Sequence, residues 1–352
     1  MRTLLIFFAL LLGLFLAGCP SSSEQNTLRN VSYDPTRELY KDFNEAFIKH
    51  YKEKTGETVK IEVTHAGSSK QARSVIDGLE ADVVTLALAY DIDHIAKAGL
   101  LRTDWQRQFD YNSTPYSSTV VFLVRKDNPK SINEWDDLIK PDVEIVVAHP
   151  KTSGVARWAY LAGWGYVLKR ELGDLHKLHD PDAAAQVAAA QEKAKEFITA
   201  LYKNVKILPE GARSASLAFV QTETGDVLLD WENQAELTIK EIGKGGYEIV
   251  VPSVSILAEP PVAIVDKNVD NRGTRKIAEA YLNFLYSKEG QKIVARHYYR
   301  PRDKEIQKEY ASNFVAVEMF TIDDVFGGWQ KAQQEHFDDG GVFDQIYIPV
   351  QQ

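Results

Sequence analysis

Strand-like runs alternate with helical ones along most of the chain. Val59, Ile61 and Val63 alternate with polar residues, the period-two pattern of a strand with one covered face. The runs at 83–88 and 120–124 are almost continuously apolar, which fits strands covered on both faces by helices. Between them, Leu39, Phe43, Ala46, Phe47 and Tyr51 fall at helical spacing after Asp34-Pro35, an N-cap followed by proline at the first helical position. Ser131-Ile132-Asn133-Glu134 has the form of a capping box. Further strands are expected at 227–231, 248–251 and 262–265, and the end is helical over 275–295 and 322–336. The order predicts a three-layer α/β protein without an internal repeat.

The amino end follows a different pattern. After Arg2 an apolar run covers 4–17, short for a membrane span but suited to the core of a signal peptide. Leu16-Ala17-Gly18-Cys19 closes it, and Cys19 is the only cysteine in the chain, so no internal disulfide can form. Residues 1–18 are therefore expected to be cleaved. The polar segment that follows has no periodicity, and 19–30 reads as a flexible tether. Cleavage leaves 334 of the 352 residues, too many for one simple core and suited to two lobes. It also removes Arg2, the only charge in the leader, and takes the net charge from −9 to −10. An acidic chain with no basic tract interleaved with aromatics is not built for nucleic acid.

The most informative segment is His149-Pro150-Lys151-Thr152-Ser153-Gly154-Val155-Ala156-Arg157. It joins the apolar run 143–148 to a helical stretch. A strand that turns through Ser-Gly into a helix leaves unpaired backbone N–H groups at the helix start. With the helix dipole behind them, those groups can hold an anion without a cation. The same residues also fit an ordinary Ser N-cap and turn. Three further segments repeat the arrangement: Ser32-Tyr33-Asp34-Pro35-Thr36, Thr64-His65-Ala66-Gly67-Ser68-Ser69-Lys70-Gln71 and Glu210-Gly211-Ala212-Arg213-Ser214. Loops beyond the carboxyl ends of strands are where open α/β sheets bind ligands. Asp34 ends its loop with an acid, so it must offer its N–H and turn its carboxylate away.

These segments carry a resemblance. VSYDPTRELY at 31–40, HAGSSKQA at 65–72, TLALAYDID at 85–93 and HPKTSGVAR at 149–157 begin it. GAR at 211–213, LLDWEN at 228–233, SILAEPPVAIVDK at 255–267, RPRD at 300–303 and FTIDDVFGGWQKAQQEHF at 320–337 continue it. Together they resemble the sulfate-binding proteins of bacterial ABC importers, over nearly the whole mature chain. The resemblance implies a two-lobed periplasmic-binding-protein fold of type II, each lobe a mixed sheet flanked by helices, with the anion in the cleft between them. Lobe 1 is expected over 31–116 and 250–310, and lobe 2 over 117–249 and 311–352.

Carried over by motif, the implied donors to sulfate are the main-chain N–H groups of Asp34, Ser68, Gly154, Val155 and Ala212, the Ser153 hydroxyl and the Trp231 indole. From composition alone Trp231 reads as a half-buried core residue; indole is a donor without acceptor capacity, which suits a fully ionised oxyanion. Val155 stands where many relatives have a second glycine, which leaves the N–H and adds bulk. His65-Ala66 and His149 also vary from the commonest spelling. Arg213 is expected behind the anion, paired with Asp34 across the cleft. The resemblance further implies a monomer without cofactor or metal, delivering sulfate to membrane permease subunits. Thiosulfate is the nearest alternative ligand, and molybdate, tungstate or phosphate lie further away. Leu16-Ala17-Gly18-Cys19 resembles a lipobox, implying an extracytoplasmic protein that meets the membrane only through a lipid on Cys19.

An enzyme is the rival class. The eight histidines include no H-E-x-x-H or other metal-like spacing, and no G-x-S-x-G or phosphate-binding loop motif occurs. Asp91-Ile92-Asp93-His94 looks like a metal cluster but reads better as a solvated helix start. A structural or adhesive lipoprotein leaves the four donor loops unexplained. None of the expected donors titrates near neutrality, so affinity should be flat from about pH 6 to 8 unless His65 or His149 holds the anion as a cation. Cys19→Ala is expected to accumulate as an unprocessed precursor or misplaced protein. Normal maturation and membrane retention of that variant would rule out lipidation.

Overall fold

The computed structural model describes residues 26–243 and 245–347; the leader, Cys19 and the first part of the expected tether lie outside them. The rest of that tether is part of the fold. Strand β1 spans Thr27–Tyr33, because Leu28, Val31 and Tyr33 are apolar side chains that the sheet buries. A 3-10 turn, Asp34–Thr36, leads into helix α1, Arg37–Thr55. Strand β2 (Lys60–Ala66) feeds α2 (Ser68–Ile76), and β3 (Val83–Thr85) feeds α3 (Ala89–Lys97). The chain then passes through β4 (Tyr116–Ser117) into β5 (Val120–Arg125). There β6 (Ile145–Val146) precedes α4 (Gly154–Leu172), and α5 (Ala184–Lys203), β7 (Val205–Ile207) and α6 (Ala212–Gln221) follow. Strand β8 (Val227–Trp231), α7 (Glu232–Thr238) and β9 (Tyr247–Val250) complete this half. The chain returns through β10 (Val254–Ile256) to β11 (Val262–Ile264), α8 (Arg275–Tyr286) and α9 (Lys288–Arg296). It crosses once more through β12 (Arg300–Pro301) to β13 (Glu318–Phe320).

Two sheets result. The first has the order β11-β3-β1-β2 and the second β7-β6-β8-β5-β9. In the first, β1 is parallel to both neighbours and β11 is antiparallel to β3. In the second, β6 runs parallel to β7 and β8, while β5 is antiparallel to β8 and β9. Each is a mixed sheet, the architecture expected of a two-lobed α/β protein. Two further two-stranded ladders pair the segments where the chain passes between the sheets, β4 with β12 and β10 with β13, and Ser118 pairs with Ala258 through bonds of 2.8 and 2.9 Å. Glu232 at the start of α7 takes two hydrogen bonds from Arg300, 2.7 and 2.8 Å long.

Several local expectations shift. Tyr33, not Asp34, is the N-cap of the first turn, and α1 starts only at Arg37. The capping box lies three residues later than expected: Glu134 and Asp137 form it, since Ser131 sits at φ 50° in a turn. The helical stretch 275–295 is two helices, because the Ser287 side chain caps α9 through Gly290 N at 3.0 Å. The stretch 322–336 breaks at Gly327 and Gly328, with φ of 69° and 93°, a region that favours glycine.

Helix α4 is the pillar of the second lobe. It is apolar nearly all round and buried along most of its length, as a helix without a polar face must be. That burial fixes the direction of its amino end. A methyl group on Gly165 would sit 2.1 Å from Cζ of Phe320 on β13. Gly165→Ala should therefore cost about 1–3 kcal/mol and lower the thermal midpoint by several degrees. A scanning-calorimetry midpoint equal to that of the parent would contradict this packing.

Candidate functional site

Strands β1 and β2 of the first sheet and the parallel trio β6, β7 and β8 of the second turn their carboxyl ends toward one another. The loops that leave them open helices, and the first N–H groups of each helix have no partner inside it. In α2 the first backbone bond to the cap is from Gln71 N to Gly67 O, and in α6 it is from Ala215 N to Gly211 O. In α4, Ser153 is the N-cap, and its hydroxyl oxygen accepts from Ala156 N at 3.4 Å. The Gly154 and Val155 N–H groups lie ahead of that bond, and the Ser153 hydroxyl keeps its proton to donate.

These ends meet around a small chamber. Asp34, Ser68, Ser153, Gly154, Val155 and Ala212 all line it, with Tyr33, Pro35, Ala66, Gly67, Ala87 and Gly211. No lysine, arginine or histidine is among them. Trp231 lies outside this lining set but next to it: its ring centroid is 5.7 Å from that of Tyr33. Its side chain is fully buried and the indole N–H has no partner. A buried, unpaired donor costs about 1–3 kcal/mol, so this N–H marks a place for an acceptor that the protein does not supply. A broader groove of about 1110 Å³ adjoins the chamber and shares Asp34, Ala66, Gly67 and Gly211 with it.

The lobes interlock at the chamber. A methyl on Gly154 would lie 2.7 Å from Ala87 Cβ, and one on Gly67 would lie 2.9 Å from Thr152 O. The Trp158 indole donates across the gap to Ala87 O at 3.0 Å. Glycine is thus required at 67 and 154 by close approach, not by a positive φ.

The supporting residues were less visible in the sequence. Asp91, expected to be solvated, is buried. Its carboxylate accepts from the Ser68 and Ser69 hydroxyls. Ser68 Oγ also accepts from Ala87 N at 3.0 Å, so its hydroxyl is committed and only its N–H remains for a ligand. Burial raises the Asp91 carboxyl above its ordinary range, against the pull of Arg157. Arg157 is buried as well, and it donates to Pro150 O at 2.7 Å and to Lys151 O at 3.4 Å. It clamps the loop ahead of α4 while its charge stays outside the chamber. Its place in the motif was visible; its bonds to carbonyls earlier in the loop were not.

Arg213 corrects an expectation. It pairs with Glu38 at 3.0 Å rather than with Asp34. The short Asp34 carboxylate is drawn back to Arg37, three residues on, at 3.5 Å, whereas the longer Glu38 reaches across to α6. The latch between the lobes exists with a different acid. Burial raises the Asp34 carboxyl, and Arg37 and then Arg213 oppose the rise.

Neither suspect histidine supplies a charge. His65 Nδ1 lies 3.3 Å from Tyr33 O, and burial pulls its pKa down to about 4. His149 accepts from Lys151 N at 3.1 Å; burial, then the Lys151 charge, lowers its pKa. Both are neutral near pH 7. Among the described residues no group of three or more His, Cys, Asp or Glu is placed to hold a metal ion, and no helix is long and apolar enough to cross a membrane.

Gly154→Ala should therefore hold the lobes apart. Overpacking at this contact costs about 1–3 kcal/mol, which weakens ligand affinity by about tenfold or more. Small-angle scattering should show a more open molecule at a given ligand concentration. A variant that closes and binds like the parent would show that the 154–87 contact does not control closure.

The chain is similar to known proteins along most of its length. Residues 32–300 match the model of the family described as bacterial extracellular solute-binding protein. A sulfate-binding protein of Escherichia coli (strain K12) is 55% identical over 319 residues, 91% of this chain and 92% of that protein. A thiosulfate-binding protein of Pseudomonas aeruginosa is 49% identical over 338 residues, 96% of each chain. Among solved structures, the sulfate-binding protein SubI from Mycobacterium tuberculosis H37Rv superposes with a TM-score of 0.75 at 29% identity, covering 89% of this chain and all of that one. A chain with two α/β sheets and a small chamber lined by the helix starts that follow their strands, matched over this length, belongs to the bacterial extracellular solute-binding protein family.

Proposed function

We propose that this protein captures sulfate in the chamber through neutral hydrogen-bond donors and hands it to the membrane permease subunits of an ABC importer. The observation that carries the reading is a ring of helix-start N–H groups and the Ser153 hydroxyl, with no cation in the lining, beside the unpaired Trp231 indole. Sulfate at neutral pH has no proton, so each of its oxygens accepts and none donates. A site made of donors meets all of its needs. Hydrogenphosphate brings an O–H that needs an acceptor, and leaving it unpaired costs about 1–3 kcal/mol. The one carboxylate at the chamber, Asp34, is turned to Arg37.

Relatives support sulfate as the ligand. Those named sulfate-binding reach 55% identity, against 49% and 40% for two named thiosulfate-binding. Thiosulfate is the second reading, favoured by the 49% identity over 96% of the chain. The protein acts as a monomeric binding protein rather than an enzyme, outside the cytoplasmic membrane and held there by a lipid on Cys19.

Hydrogen bonds to a charged group contribute roughly 1.5–3 kcal/mol. Ser153→Ala and Trp231→Phe should each weaken sulfate binding by about ten- to a hundredfold, measured by calorimetry. A folded double variant with the parent's sulfate affinity would show that the ligand binds elsewhere.

A further inference from the structure

The motif Arg300-Pro301-Arg302 does not line the chamber, yet it bonds to each passage of the chain between the two sheets. The first passage runs through β4 to β5, and the second leads from β9 through β10 to β11. The third leads from α9 to β13, whose Phe320 packs against Gly165 of α4. Rotation of one sheet against the other is absorbed where the backbone joins them.

Arg302 holds the ends nearer the first sheet. Its Nε donates to Thr114 O at 3.0 Å and its Nη2 to Thr114 Oγ1 at 2.7 Å, in the first passage. The same Nη2 reaches Glu259 Oε1 at 2.6 Å, in the second. Its backbone N–H donates to Gln291 Oε1 on α9 at 2.6 Å. Thr114 follows a strained turn: Tyr111, Asn112 and Ser113 stand at φ 55°, 55° and 59°, where residues other than glycine are held by their surroundings. The Arg302 guanidinium lies 5.2 Å from the Tyr111 ring centroid, so it covers that turn as well.

Arg300 holds the ends nearer the second sheet. Its Nε and Nη2 donate to the two Glu232 carboxylate oxygens at 2.7 and 2.8 Å, and Nη2 also donates to Val315 O in the third passage at 2.8 Å. Glu232 N donates to Thr119 O at 2.9 Å, and the Thr119 hydroxyl donates to Ile256 O at 3.0 Å. The first and second passages are thus tied again at this end. A guanidinium bonded through two nitrogens is oriented as well as attached, and proline fixes φ between the two grips. Only 115–118, 257–258 and Pro301 lie between them, and they pair as β4 with β12 and Ser118 with Ala258.

We propose that Arg300-Pro301-Arg302 is a pivot clamp: it fastens the passages at both ends, confines bending to the few residues between, and limits how far the two sheets swing apart. Sheets that cannot drift far apart stay close to the arrangement that holds the anion. A larger fraction of the anion-free protein is then ready to bind, which raises the apparent affinity. The benefit to capture rests on the binding function proposed above, whereas the clamp itself is testable without a ligand.

The test is pulsed electron spin resonance on the mature protein with Cys19→Ser and spin labels at Lys49→Cys on α1 and Lys203→Cys on α5, both exposed. Without sulfate, this parent should give a narrow distance distribution, and Arg302→Ala one about twice as broad and shifted to longer distances. Glu259→Gln, which leaves the Thr114 bonds in place, should fall between them. Circular dichroism checks that each variant is folded; if Arg302→Ala is not, Glu259→Gln decides on the same measure. With saturating sodium sulfate, parent and variants should reach the same short distance. Calorimetry should show Arg302→Ala binding sulfate roughly three- to tenfold more weakly. A folded variant whose anion-free distribution is as narrow as the parent's would overturn the proposal, and so would a broadened variant with the parent's affinity. Absence of sulfate binding by the parent would instead overturn the functional reading, and the anion-free widths would still judge the clamp.

Discussion

Holding a doubly charged anion with dipoles alone constrains the whole molecule. A backbone N–H carries a fraction of a charge, so several must converge on one point, and none can be taken by a nearer acceptor. Helix starts meet both conditions, because their first N–H groups are left over by the geometry of the helix itself. This chain points helix starts from two separate sheets at one chamber. Much of the surrounding structure serves to keep those groups free and fixed.

Asp91 and Arg157 illustrate the division of labour. Both are buried and ionisable, yet neither lines the chamber. Asp91 occupies the Ser68 and Ser69 hydroxyls and so sets the α2 loop. Arg157 ties down the carbonyls ahead of α4. These charges hold the frame, and the chamber is lined without a lysine, arginine or histidine. Closure depends on the same economy of space: glycine at 67 and 154 lets one lobe's loop come into contact with the other's. The Glu38–Arg213 pair and the Trp158 indole then bridge the gap.

Much of this was legible in the chain. Strand, small-residue turn and helix start are local features, and the loops at Asp34, Ser68, Ser153 and Ala212 could be read because their chemistry lies within a few residues. Trp231 was ambiguous from composition, and its unpaired indole appears only once its neighbours are known. What stayed hidden was long-range. Whether Arg213 meets Asp34 or Glu38 depends on side-chain reach across two elements. Asp91 looks solvated until α2 is packed over it. Helix breaks at Ser287 and Gly327 were missed because the apolar rhythm continues through them, although the serine and the two glycines were there to be read. The lobe crossings depend on pairings between distant strands, which periodicity does not encode.

The central claim is that a site of neutral donors reads the protonation state of its ligand. The most direct test is a competition titration of the parent protein with sulfate, thiosulfate, molybdate and phosphate near neutral pH. The account predicts tight sulfate binding and phosphate binding weaker by about ten- to a hundredfold, because hydrogenphosphate carries a proton for which the chamber offers no acceptor, at about 1–3 kcal/mol. Phosphate competing on equal terms with sulfate would contradict it and would require an acceptor at the ligand.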